Sequence, residues 1–203
     1  VEDLELVTDL IRGPDYIDAA IVPAPWLDPK AVDLKKIRVA YYLNNGSEKP
    51  LTPETEAAVK STVALFKNLG VTVVEDCPTA LIKESQDVRN AISTADGRAW
   101  VKRMLKKYGT TQVSPVISLG DSPQTDVSGF TRLADQMDAN RAKFLGWMQQ
   151  YDLLICPANR TPAEPWPDEL KPQLPDAKNI GFTTTDNNTG WPGAVVRAGT
   201  SPE

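Results

Sequence analysis

The stretch from Ile37 to Val74 constrains the fold more than any other part of the chain. Ile37-Arg38-Val39-Ala40-Tyr41-Tyr42-Leu43 is β-branched and aromatic enough for a strand, and Asn44-Asn45-Gly46 ends it. Thr52-Pro53-Glu54 then supplies an N-cap, a proline at the first helical position and an acidic first turn. Val59, Val63, Phe66 and Leu69 recur at helical spacing, Gly70 provides the stop, and Val71-Thr72-Val73-Val74 reads as a second strand. Two parallel strands joined by a right-handed helical crossover place the chain in the α/β class, with a mixed sheet covered by helices.

The flanking segments follow from the same patterns, within one region spanning 1–203. Residues 1–36 read as a helix from Val1 to Ile11 and a Pro-rich loop, the helix with Leu4, Val7, Leu10 and Ile11 on one stripe, Glu2, Asp3 and Glu5 in the first turn, and Gly13-Pro14 as its stop. Trp26 of the loop is expected to dock on the body. Residues 37–76 form the βαβ unit. Residues 77–151 are helical, from Ala80 to Tyr108 with a break near Asp96-Gly97, and again from Thr125 to Tyr151 with Asp126 or Ser128 as cap. Thr110 to Gln124 between them reads as loop. Met137, Phe144, Trp147 and Met148 recur at helical spacing and are read as core. Residues 152–203 open with Asp152-Leu153-Leu154-Ile155-Cys156-Pro157, an apolar strand of the kind buried in mid-sheet. An irregular passage with six prolines between 157 and 176 follows, and Ala194-Val195-Val196-Arg197-Ala198 is a last strand candidate.

Composition excludes several partners. A chain of 203 residues, 41% hydrophobic and 24% charged, buries about 70% of its extended surface when folded and so can form a core. The formal charge of −5 and pI near 4.9 argue against nucleic acid or an anionic membrane, which need clustered Lys and Arg. No run of 18 apolar residues is present, and Val1-Glu2-Asp3-Leu4-Glu5 has neither a basic leader nor an apolar signal core. Cys77 and Cys156 each follow an apolar run and precede a proline. They read as small buried hydrophobes near strand ends, and two cysteines fit a reducing, cytoplasmic setting better than a disulfide framework.

The absence of histidine removes Ser-His-Asp and Cys-His catalysis, HExxH zinc sites and imidazole acid–base chemistry together. Gly120-Asp121-Ser122 imitates a hydrolase nucleophile block without the histidine that block needs. The nucleophile elbow, the dinucleotide and P-loop fingerprints, Ser-x-x-Lys and Cys-x-x-Cys are missing as well, so no metal or cofactor is implied.

Taken in order, six blocks resemble the C-terminal half of an amidase-signature enzyme. They are Gly13-Pro14-Asp15 with Asp18, Val22-Pro23-Ala24-Pro25-Trp26, Ile37-Arg38-Val39-Ala40, Thr52-Pro53-Glu54-Thr55, Tyr151-Asp152-Leu153-Leu154-Ile155-Cys156-Pro157, and Asn187-x-Thr189-Gly190-Trp191-Pro192-Gly193. The resemblance implies an enzyme that hydrolyses a small amide through a Ser acyl-enzyme, with a Lys relaying protons through a bridging Ser to the nucleophile. Those residues lie upstream of the part this chain resembles, so no catalytic residue is carried over. The chain then reads as a C-terminal fragment, inactive alone, whose partners are a small-molecule amide and the N-terminal half of the same enzyme. Its uncovered surface is expected to promote self-association.

The resemblance further implies that Trp100, Asp186, Asn187 and Trp191 line the substrate pocket. Each has a plainer reading beside it. Trp191 caps the sheet, Trp100 belongs to the core, and Asp186-Asn187 satisfies turn amides. Gly190 and Gly193 read as backbone requirements, for a positive φ or a close approach. The alternatives to an amidase fragment are a non-catalytic α/β binding module and a structural subunit derived from an amidase.

Overall fold

The computed structural model describes residues 2–19, 21, 23, 25, 27–113, 124–163 and 182–201. The chain divides into two compact units, residues 1–34 and 35–203. The first contains α1 (Glu2–Ile11), whose expected apolar stripe forms but meets solvent: Leu10 and Ile11 are about three-quarters exposed. Trp26 lies outside the described residues.

The second unit is built on the expected crossover. Strand β1 (Arg38–Tyr41) leads through α2 (Pro53–Asn68) to β2 (Thr72–Glu75), and the two strands pair in parallel with Val39 opposite Val73. The Thr52 side chain accepts from the Thr55 N–H to start α2. A Schellman motif ends it, with Gly70 N–H on the Lys67 carbonyl and Val71 N–H on that of Phe66.

Strand β3 (Leu153–Ile155) pairs in parallel on the other side of β1, with Ala40 opposite Leu154, giving the order β2-β1-β3. Where a mixed sheet was expected, the three described strands all run parallel. The apolar run at 153–155 is therefore an edge strand of the described sheet rather than its centre. The centre is β1, whose Val39 and Ala40 are fully buried. The reason is topological: the crossover from β1 runs to β2 on one side, the connection from β2 returns past β1 to β3 on the other, and hydrophobicity alone does not order strands. Arg38 and Asp152 clamp the first residues of β1 and β3, through guanidinium bonds of 3.1 and 3.2 Å and an Arg38 N–H bond of 2.8 Å.

Between β2 and β3 lie α3 (Thr79–Thr94), α4 (Ala99–Tyr108) and α5 (Val127–Met148). The break expected near Asp96-Gly97 is present, and the Asp96 carboxylate caps α4 by accepting from the Trp100 N–H at 2.7 Å. Of the two candidate caps for α5, Asp126 serves, accepting from Gly129 N–H at 2.6 Å. Helix α3 packs extensively on α5 and also on α6 (Thr184–Thr189). Met137 and Phe144 are buried as expected, with Trp147 and Met148 half-buried. None of the described helices is long and apolar enough to cross a membrane.

The strand expected at 194–198 does not form. That segment has no regular structure and pairs with no described strand, and Val195 and Val196 are 69% and 51% exposed. A β-branched run becomes a strand only when a neighbouring ladder accepts its backbone groups, and none of the described strands does so. Residues 110–113 and 124 are loop as expected. The intervening 114–123, with Gly120-Asp121-Ser122, lie outside the described residues, as do 164–181 of the proline-rich passage.

Candidate site at the carboxyl ends of the strands

Parallel strands point their C-terminal ends at one edge of the sheet, and in an open sheet ligands bind where two crossovers part in opposite directions. In this chain that point lies between β1 and β3. Tyr42 follows β1 directly and Cys156 follows β3 directly, while Cys77 stands just past β2. The Tyr42 N–H extends the ladder by donating to the Ile155 carbonyl at 3.2 Å. Short strands with polar or polarizable residues immediately beyond them thus gather Tyr42, Cys77 and Cys156 at one edge.

The floor of this edge is apolar. Tyr42, Ile82, Phe144 and Phe182 form a buried cluster, with Leu51, Leu81, Leu154 and Trp191 packed against it. The rings of Tyr42 and Phe182 stack at 6.0 Å, and Trp191 meets Phe144 edge-on at 5.8 Å. The Arg160 guanidinium lies over Phe182 of the stacked pair, 5.7 Å from its ring centroid.

Burial governs the electrostatics. It pushes the Tyr42 phenol far above its ordinary value, reinforced by the adjacent Cys156 thiol, which is hydrogen-bonded to it, and by Cys77 and Asp186. Burial likewise raises Cys77, and pushes Cys156 up to about 11. Both cysteines are therefore protonated near neutral pH and are poor nucleophiles, in keeping with their reading as small apolar residues. Burial also raises the Asp186 carboxyl above its ordinary 3.8.

Helix α6 and the segment after it bring three of the four expected pocket residues together. Asp186 is half-buried in the first turn of α6, Asn187 beside it is exposed, and Trp191 lies against Phe144. The helix is fixed from below by its buried neighbour Asn188, whose amide donates to Ser85 Oγ at 2.6 Å and whose carbonyl accepts from Arg141 Nε at 2.7 Å. Gly190 ends the helix at φ +73 with its N–H on the Asp186 carbonyl at 2.8 Å, a conformation that a Cβ would strain. The chain then folds back so that a Cβ on Gly193 would sit 3.4 Å from Asp186 Oδ2. Gly193 therefore permits a close approach, but to Asp186.

Trp100 stands apart. It lies on α4 with 58% of its surface exposed, and no described hydrogen bond or ring contact joins it to Asp186, Asn187 or Trp191. The core reading of Trp100 is thus excluded, whereas Trp191, expected as a cap on the sheet, packs against Phe144 and the buried cluster.

Sequence reasoning missed Tyr42, Phe182 and Asn188. Position supplied a signal for Tyr42, since it directly follows the strand that turns out to be central. Nothing comparable marked Asn188, whose burial depends on α3 and α5 arriving from elsewhere in the chain.

Comparison with known proteins gives a consistent result. The family model described as Amidase matches residues 1–203. No curated protein matches the chain. Among solved structures, a fatty acid amide hydrolase superposes with a TM-score of 0.69 at 19% identity, over 86% of this chain and 30% of that one. A 6-aminohexanoate cyclic dimer hydrolase gives 0.62 at 18%, over 93% and 44%. An allophanate hydrolase from Kluyveromyces lactis gives 0.56 at 15%, over 92% and 31%. The chain spans less than half the length of each of these structures.

Proposed function

Since this chain belongs to the Amidase family, we propose that it is the C-terminal portion of an amidohydrolase and supplies scaffold and pocket wall for the cleavage of a small carboxamide. The observation that carries this reading is the family match over residues 1–203, and the 30–44% share of the similar structures is what one portion of such an enzyme would cover.

In this reading the nucleophile and its proton relay come from outside the 203 residues, in the N-terminal half. The residues present do three things. The apolar floor of Tyr42, Phe144 and Phe182 keeps water from the inner side of the wall. Asp186 and Asn187 offer polar contacts at its rim, with Trp191 as the flat apolar surface beside them and Trp100 as an outer contact from α4. The Asn188–Ser85 and Arg141–Asn188 bonds hold α6 in place so that the rim does not depend on substrate to form. The free Cys77 and Cys156 support a reducing, cytoplasmic setting. Exposed Val195, Val196, Phe130 and Leu145 support covering by the N-terminal half, or self-association without it.

The test is a turnover assay on simple carboxamides with the purified 203-residue chain, alone and joined to its upstream coding region. Activity is expected only in the joined form. Turnover by the chain alone, abolished by replacing one of its own serines, would falsify the proposal.

A further inference from the structure

The geometry points to Asp186 as the anchor for an ammonium group on the substrate, an inference that rests on the pocket wall proposed above. Its main-chain carbonyl is used, by the Gly190 N–H at 2.8 Å and the Thr189 hydroxyl at 3.3 Å. Its carboxyl oxygens, in contrast, take part in no described hydrogen bond or ion pair. The other acids near the sheet are engaged. Asp76 accepts from Trp147 and Tyr151, Glu75 from Tyr41, and Asp152 from Arg38.

Among the described residues, no cation forms an ion pair with Asp186 either. On the helices packed against α6, Arg141 is bound to the Asn188 carbonyl and to Asp138, Lys143 to Glu84, Lys83 to Asp87 and Arg132 to the Ser128 hydroxyl, while Arg89 is exposed on α3 and Arg160 lies over the Phe182 ring. The titratable groups that feel the charge of Asp186 are Tyr42 and Cys156, both protonated near neutral pH. A carboxylate that has lost part of its water without gaining a donor is costly, and native carboxylates in that position are ordinarily paired. Gly193 keeps the approach open, because the Cβ of a side chain there would stand 3.4 Å from Asp186 Oδ2 and cover one side of the carboxyl. A primary ammonium brings up to three donors and a full opposite charge, whereas a hydroxyl or a neutral amide brings donors alone.

The experiment follows the Asp186 carboxyl carbon by NMR in the 203-residue chain across a pH titration, with n-hexylammonium, hexanamide or hexanol added. Hexylammonium is expected to move the Asp186 titration to lower pH, while the two neutral probes leave it in place. Asp186→Asn should weaken hexylammonium binding at least tenfold and that of hexanamide far less, and Asp186→Glu should retain part of the hexylammonium binding. A shift of the Trp191 indole resonance with no response at Asp186 overturns the anchor and leaves the wall standing. Silence at both residues overturns both. Equal responses to hexylammonium and hexanamide overturn the preference for charge. The titration of the unaltered chain decides the matter even where a variant folds poorly.

Discussion

Replacing Phe144 with Ala tests whether the candidate wall is held by the core. Phe144 is fully buried, belongs to the cluster with Tyr42, Ile82 and Phe182, and receives the edge-on contact from Trp191 at 5.8 Å. Truncating a buried Phe costs about 3–5 kcal/mol through lost transfer energy and the cavity left behind. The ring pair with Trp191, worth about 0.5–1.5 kcal/mol, falls within that total. Against a domain stability of about 5–15 kcal/mol, the change removes a large share. With a urea dependence of about 2 kcal/mol per molar, the unfolding midpoint should fall by roughly 2 M. Phe144→Leu, which keeps most of the volume, should cost less than half as much. The chain has five tryptophans, so emission from Trp191 is isolated as the difference between each form and its Trp191→Phe counterpart. It should shift to the red in Phe144→Ala under native conditions. A loss below about 1 kcal/mol, or unchanged Trp191 emission, would refute the claim that this ring pins the wall to the core.

Three further outcomes are expected. Asp76 accepts from Trp147 Nε1 at 2.9 Å and from the Tyr151 hydroxyl at 2.6 Å, so Asp76→Ala should cost about 1–3 kcal/mol in urea unfolding, and a neutral result would contradict those bonds. Gly46 has φ +92, and a Cβ there would come within 2.5 Å of Thr79 Cγ2; Gly46→Ala should lower stability by at least about 1 kcal/mol. Asp186, held by burial above its ordinary 3.8, keeps in the folded chain a proton that the unfolded chain releases, so its contribution to stability falls as pH rises from 3.8 through its folded value. Asp186→Asn should therefore match the parent in thermal unfolding below pH 3.8 and gain on it above, by on the order of 1 kcal/mol or less after solvent screening. A constant difference across that range would contradict the raised carboxyl.

Local signals carried much of this fold. The capping chemistry of Thr52-Pro53, the stop at Gly70, the Asp126 cap and the break at Asp96-Gly97 are determined by residues within a turn of each other, and each appears where the sequence places it. Strand order and the fate of residues 194–198 depend on ladders between distant segments, which periodicity does not report. The site divides in the same way. The grouping of Asp186, Asn187 and Trp191 was legible because one short stretch contains all three. Tyr42 joins them only through the pairing of β1 with β3, and Asn188 only through its bond to Ser85, 103 residues away in sequence. Trp100 shares an apolar helix pattern with genuine core residues, but its side of α4 faces solvent.

The most direct measurement of the central claim is a backbone and indole NMR titration of the 203-residue chain with hexanamide, the simplest mimic of a carboxamide substrate. The account predicts weak, saturable shifts concentrated at Asn187, the Trp191 indole and their neighbours in 186–193. Shifts confined to a different surface, such as the groove lined by Lys83, Asp87 and Gln136, or no saturable shift at 186–193, would contradict it.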